Sequence, residues 1–484
     1  MALKTKQDVI HWLEENTGRF TRVSDEIWAN PEVAWKEFNS SKLQADFLQA
    51  EGFQITWDIG GLNTAFMAEW GEGKPIIGFA GEYDALAGLS QKNQPTQEPL
   101  HEGDPGHGCG HNLLGTGCMA AAVAVRHWLD ATGRKGTVRY YGCPAEERIT
   151  GKTFMARAGA FDDLDAAFNF HPSRMNSPSK GSAVGVYDLT FRFSGTAAHA
   201  GGSPHKGRSA LDAVELMNVG VNYLREHVTS KVRMHYVITH GGDLPNVVPT
   251  KAEVWYFLRA HERDELEQVA NRVRKIAQGA ALMTETTVEE VFNGACSSVL
   301  SNHYLADLQH EAMQVVGPIQ FTEEEKAYAQ EINEVYPEKD ARDVFRDLRV
   351  PEEMKDRVAE LVGEPLLGEN FPAWNEDNIQ TGSTDVGDLS WITPVSMLGT
   401  ACFATGAAGH SWGIVATGAM SIGHKGMMHA AKIMAVAAMD LYADPEHLAK
   451  ARQEFEKTKD HPYETPLPDH VKPPRYPNPA RGVD

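Results

Sequence analysis

The sequence predicts an α/β protein: a mostly parallel sheet flanked by helices, with a smaller α+β domain inserted into it. Three observations carry this reading. Between Lys4 and His171, apolar strand-like runs alternate with helical periodicity, as a layered parallel sheet requires. The polar residues with the most chemistry fall just past the ends of those runs, where open α/β sheets bind ligands. Near Gly185 the pattern changes to short alternating strands, and a chain of 484 residues is too long for one core.

The elements follow in order. Lys4–Asn16 and Ser41–Glu51 have amphipathic helical periods. Lys74–Ala80 (KPIIGFA) is a buried strand ending in the loop GEYDAL. Leu113–Ala131 is a long helix, stopped by Gly133. Gly136–Tyr141 (GTVRYY) is a strand ending at CPAEE, and Ala166–Phe170 (AAFNF) is another ending at His171. Val186–Ser194 (VYDLTFRFS) alternates like a half-buried antiparallel strand. A helix over Ser209–His227, the strands VRMHYVITH and AEVWYFLRA, and a helix over Asp264–Gly279 complete a β-α-β-β-α order. The predicted insert spans 184–297, and the larger unit is split into 1–183 and 298–484. Thr322–Leu361 is dense in charge and reads as solvated surface helices. Seven prolines in the last 24 residues predict an extended arm on the surface or a loose tail.

Composition excludes several classes. A formal net charge of -21 argues against nucleic acid, which needs clustered Lys and Arg. Five irregularly spaced cysteines form no disulfide framework and fit a reducing compartment. The start, MALKTKQDVIHWLEENTG, has no apolar signal region, and the longest apolar run, Cys118–Val125, is too short for a bilayer. The expectation is a cytoplasmic protein acting on a small molecule, with no nucleic-acid or membrane partner.

The stretch GHGCGHNLLG places His107, Cys109 and His111 at alternate positions. On its own it leaves three readings open: a metal loop, a thiol nucleophile with its base, or a buried thiol in a Gly-rich turn. Thiolate and imidazole together suit zinc or a similar divalent ion. Glu146 and Glu147 follow a strand end. Adjacent carboxylates can face opposite ways, one gripping a metal and the other serving the water on it. An isolated Glu-Glu pair is more often an exposed acidic turn. His171 and His410, each taken alone, read as ordinary structural histidines, and Asp84 as a turn residue. His199, Asn246 and Arg259 lie in the inserted domain. An Arg and an Asn near a site can hold a carboxylate, but surface hydrogen bonding is the plainer reading of each alone.

The motifs together change the balance. PEVAWKE, GEYDAL, HGCGHN, PAEE, HP after a strand, GTAAHA, GGDLPNVVP, GSTDVGDLSW and GHSW resemble, in order and across most of the chain, the amidohydrolase branch of the peptidase M20 family. Longer stretches such as GHGCGHNLLGTG and SPHKGRSALDAV are similar to its aminobenzoyl-glutamate hydrolase subgroup. The resemblance implies a hydrolase with two divalent ions, zinc or manganese, with cobalt or nickel also admitted. It implies that Cys109 bridges the ions, that Glu147 and His410 complete one, and that His111 and His171 complete the other. Glu146 would be general base and then acid. Asp84 would orient a ligand and hold its protonation state. His199 would stabilise the developing oxyanion, reaching the neighbouring subunit's site in a homodimer. Asn246 and Arg259 would bind the substrate carboxylate. His107 is left with a loop role.

The implied reaction is hydrolysis of an N-acyl or N-aroyl amino acid, p-aminobenzoyl-glutamate foremost. A dipeptidase, another amino-acid-conjugate hydrolase, and a non-catalytic partner of a paralogous second subunit stand as alternatives. The sequence departs from the branch at Glu82 and Asn112, where Asp is usual, though the subgroup shares both. It departs from the subgroup at Arg148 and around His410, which bears on substrate identity.

Overall fold

The structure, a computed structural model, describes residues 3–336, 342–346 and 348–483. The chain begins with helices α1 (Lys6–Ala29) and α2 (Phe38–Ala50), then strands β1 (Gln54–Trp57), β2 (Phe66–Glu72) and β3 (Ile76–Glu82). Helix α3 (His111–Thr132), strand β4 (Gly136–Cys143), helix α4 (Gly151–Arg157) and strand β5 (Ala166–Ser173) follow, with short strands β6 (Ser177–Pro178) and β7 (Ser182–Ala183). The helix α1 runs thirteen residues past Asn16, because Phe20, Val23 and Ile27 continue its buried face.

A second sheet comprises β8 (Gly185–Ser194), β9 (Arg233–His240), β10 (Lys251–Ala260) and β11 (Thr287–Cys296), in the antiparallel order β11-β8-β10-β9. Helices α5 (Ala210–Leu224) and α6 (Arg263–Thr284) cover one of its faces. Strand β10 alternates cleanly. Val254, Tyr256 and Leu258 turn to those helices, while Trp255, Phe257 and Arg259 turn the other way. The chain then forms α7 (His303–Val316), α8 (Glu323–Val335), α9 (Arg342–Phe345), α10 (Lys355–Leu361), β12 (Ile379–Gln380), α11 (Val386–Ser390), β13 (Val395–Ala401), α12 (Trp412–Gly418), α13 (Ser421–Ala443) and α14 (Pro445–Thr458).

The large sheet has the order β1-β2-β4-β3-β5-β13-β6. Its four central strands run parallel, as expected, and the pairings toward both edges are antiparallel. In β3, Ile77 and Phe79 face α1, α3 and α13, while Ile76 and Ala80 face α4 and the C-terminal segment. Helix α3 is buried along nearly its whole length, which explains why LLGTGCMAAAVAV is apolar on every side.

Two further regions are legible only in outline from sequence. The charged stretch Thr322–Leu361 is not wholly solvated: Ala329, Ile332, Phe345 and Leu361 are buried, and Tyr336 stacks on Trp412 at 5.7 Å. Positions 337–341 and 347 of that stretch lie outside the described residues. The proline-rich end is the packed arm of the two alternatives. Leu467 and Asn478 are buried, Tyr463 donates to Asp388 Oδ1 (2.9 Å), and Arg481 lies over Trp57 at 4.1 Å.

Candidate metal centre

The carboxyl ends of the four parallel strands converge. Strand β3 delivers Glu82 and, two residues on, Asp84. Strand β4 delivers Glu146 and Glu147, β5 delivers His171, and the loop after β13 delivers His410. The loop into α3 adds Cys109, and His111 is the first residue of that helix. This loop needs glycine. Gly110 has φ 77°, and a Cβ there would lie 2.7 Å from Phe403 Cζ. The helix N-terminus favours negative charge, which suits the Cys109 sulfur.

The ligating atoms of Cys109, His111 and His171 lie within 4.8 Å of one another, and so do those of Cys109, Glu147 and His410. One sulfur is thus common to two compact donor sets, one S,N,N and the other S,O,N. Tautomers fit as well. His111 Nδ1 is 3.0 Å from both the backbone O and Oδ1 of Asp84, which only accept, so Nδ1 carries the proton and Nε2 faces the cluster. His171 Nδ1 sits 2.8 Å from Pro172 O, which turns its Nε2 to Cys109 Sγ at 3.3 Å. His111 Nε2 and Glu147 Oε1 are buried and lack hydrogen-bond partners. Buried orphan acceptors aimed into one cluster are what divalent ions would satisfy.

The electrostatics agree. Burial alone would push the Cys109 thiol up, but His171 and His111 outweigh it and hold it well below its usual range. Burial pulls His171 down, yet the facing thiolate lifts it to about 9. Burial, then Cys109, pushes Glu147 up to about 8. Bringing carboxylate and thiolate this close costs energy that a divalent cation between them offsets. Glu146 is raised well above the carboxylate range by burial and by Glu82.

The loop that carries the two glutamates is tightly held. Ala145 and Ile149, which bracket it, have φ 58° and 52°, a left-handed conformation non-glycine residues rarely adopt. Glu37 Oε1 accepts from Ala145 N (2.8 Å), and Asp84 Oδ2 accepts from Glu147 N (2.9 Å). Asp84 therefore serves both His111 and Glu147. Arg148 reaches across to Asp188 Oδ2 (3.2 Å) and lies over Trp255, so it ties this loop to the small sheet.

Other residues fall elsewhere. His107 is buried against Ile27 O (3.2 Å), and burial pushes it down to about 3, a packing role. Asn112 Nδ2 donates to Ser24 Oγ and Gly418 O, pinning α3 to its neighbours. His199 and Asn246 are exposed on the small domain, away from the Cys109 cluster. His199 Nδ1 accepts from Gly201 N and Gly202 N, which leaves the proton on an outward-facing Nε2. Arg259 is half-buried and donates to Thr381 O (3.2 Å) and to Ser383 Oγ (2.9 Å), the latter within the motif GSTDVGDLSW. Three buried residues are not singled out as functional by the sequence: Glu37, Lys152 and Asp385. Glu82 stands out there only as a departure from the branch. Each lies in one of the stretches that carry the resemblance, Lys152 in GKTFM, which is among those similar to the subgroup.

Comparison with known proteins fixes the family. Over 468 residues, 95% of this chain and 97% of the relative, the sequence is 44% identical to one of the two subunits of p-aminobenzoyl-glutamate hydrolase from Escherichia coli K12. The chain belongs to the peptidase M20 family. Residues 182–284 of this M20 chain match the model of a peptidase dimerisation domain. Xaa-Arg dipeptidase of Mus musculus is 33% identical over 57% of the chain and 63% of its own length. The fold is also that of a dinuclear metal-binding M20 peptidase from Bacillus subtilis, with a TM-score of 0.56 at 18% identity, covering 89% of this chain and 99% of that one. The protein is an M20-type amidohydrolase. Among the described residues, no helix is long and apolar enough to cross a membrane.

Proposed function

We propose that this chain hydrolyses the amide bond of N-acyl and N-aroyl amino acids, with p-aminobenzoyl-glutamate as its leading substrate. The observation that carries the proposal is the paired donor set around Cys109, with Glu146 buried beside it. The aminobenzoyl-glutamate relative supports the choice of substrate.

Cys109, Glu147 and His410 would hold one divalent ion, and Cys109, His111 and His171 the other. Zinc or manganese fits this donor set best, and cobalt or nickel is admitted. When bound, the ions supply a Lewis acid and an acidified water. Glu146 accepts the proton of the attacking water and returns it to the departing amine nitrogen. Asp84 keeps the proton on His111 Nδ1 and fixes the Glu147 backbone. His199 Nε2–H donates to the carbonyl oxygen as negative charge develops there. Arg259 and Asn246 bind the substrate carboxylate.

His199 serves that role from a second copy. The edge strand β9 and helix α5 expose Leu216, Val219, Tyr223, Val237 and Ile238, apolar side chains that would suit a homodimer contact. The separation of the four-stranded sheet from the seven-stranded one supports a division into 1–183 with 298–484 and an insert of 184–297. The five free cysteines support a cytoplasmic setting.

The purified, metal-loaded chain tests this directly. It hydrolyses p-aminobenzoyl-glutamate, and Glu146→Ala lowers kcat by about 10²–10⁴-fold with metal content unchanged. A Glu146→Ala protein at wild-type rate would sink the proposal. The likeness to Xaa-Arg dipeptidase favours one second reading, a dipeptidase, which a panel of dipeptides and N-acyl amino acids separates. The Escherichia coli relative is named as one subunit of an enzyme that has another. That raises a third reading, a partner subunit inactive alone, which activity of the isolated chain decides.

A further inference from the structure

Lys152 is fully buried on the first turn of α4, five residues beyond Glu147. Its ammonium donates to Asp385 Oδ1 and forms an ion pair with Glu82 Oε1 at 2.8 Å. Asp385 also accepts from the Lys152 backbone through Oδ2 at 2.7 Å, so it grips the residue at both ends. The second Glu82 oxygen is 3.4 Å from His111 Nε2, and the carboxylates of Glu82 and Glu146 cluster with that nitrogen within 4.8 Å.

We infer that Lys152 and Asp385 are positioning residues for the hydrolysis proposed above, acting through Glu82. A buried ion triad is costly next to apolar packing of the same volume, so it rarely persists for stability alone. Here its geometry has a specific consequence. Once Glu146 is ionised as the base, it and Glu82 carry like charges in one buried space, and unrestrained they would swing apart. Lys152 holds one Glu82 oxygen, which fixes the other against His111 and beside Glu146. The base thereby keeps one orientation toward the reacting carbonyl rather than several. Positioning of this kind affects turnover more than substrate affinity.

The inference rests on the hydrolase reading, and its test separates the two. The double variant Lys152→Met/Asp385→Asn removes one positive and one negative charge, so the triad keeps its net charge while the grip on Glu82 is lost. With p-aminobenzoyl-glutamate as substrate, we expect kcat to fall by at least about tenfold with KM within about twofold. Metal content and melting temperature stay near wild type, and a crystal structure has Glu82 turned away from His111. Recovery of wild-type kcat in this folded double variant would show a merely structural ion pair. Should the double variant not fold, Glu82→Gln replaces it: the same fall in kcat with intact metal content supports the inference, and wild-type kcat overturns it. If the wild-type chain hydrolyses nothing on the panel, the substrate reading fails by itself. The crystal structure then still decides the positioning, since an unmoved Glu82 overturns it.

Discussion

At the ends of the parallel strands, the candidate residues are mostly buried and bonded to one another. Asp84 serves His111 and Glu147, Glu37 holds the Ala145 amide, and Cys109 faces histidines from two elements. In the small domain the candidates are differently placed. His199 and Asn246 are exposed and bonded only to nearby backbone, and Arg259 is turned to Ser383. The first region has what is needed to bind ions within one chain. In the second, His199 Nδ1 accepts from backbone amides, and among the described residues its Nε2 has no hydrogen-bond acceptor. On the proposed reading, ion binding would belong to the single chain and turnover to an assembly of two.

The largest effects come from the first region. Cys109→Ala removes the donor shared by both sets, so both ions should be lost together and activity should fall by at least about 10³-fold. Metal analysis with parallel kinetics checks this, and two retained ions would break the bridging assignment. His199→Ala should behave in the opposite way. Metal content stays at wild type while kcat falls by about 10²–10³-fold, the usual cost of an oxyanion donor. Mixing His199→Ala with Glu146→Ala chains should restore activity to about a quarter of wild type, because half of random dimers are hybrids with one intact site each. No recovery would place His199 in its own chain's site. Opening the apolar face should cost as much activity as losing His199, because it removes the second copy, and it also changes assembly. Tyr223→Glu with Val237→Lys should give a monomer by sedimentation, with metal content intact and activity no higher than that of His199→Ala.

The same contrast explains what was legible in the sequence. The parallel core could be read because buried strands such as IIGFAGE and helices such as α3 are apolar without interruption. The ligand loops could be located because such residues sit at strand ends, and their roles came from the order of motifs. The antiparallel strands β1 and β2 are not legible there: β1 has only four residues, and both are partly exposed, without the unbroken apolar run of β3. Lys152 and Asp385 were missed for a different reason. They lie far apart in sequence, and only burial reveals that a lysine in a helix turn and an aspartate in GSTDVGD neutralise each other. The exposed apolar residues of α5 and β9 share that limit, since an apolar residue on an exposed face looks the same as a core residue until the fold is known.

A variant that touches neither region calibrates the others. Glu51 ends the second helix, and its Oε2 is 2.9 Å from His127 Nε2, with Arg19 on its other oxygen. The hydrogen bond from His127 is the main cause that holds Glu51 down at about 2, with Arg19 adding to it against the effect of burial. A carboxylate whose pKa is depressed on folding stabilises the native state fully above its ordinary value of 4.5, and that contribution is lost as pH falls toward 2. Glu51→Gln should therefore lower stability at neutral pH by about 1–2 kcal/mol, a figure reduced from the full shift because the group is only half-buried. The gap between wild type and variant should close in the acid range, read by denaturant unfolding at a series of pH values. Metal content and kcat should not change. Were kcat to fall with this variant, loss of stability alone would lower turnover, and the low kcat expected of His199→Ala would no longer distinguish the two regions.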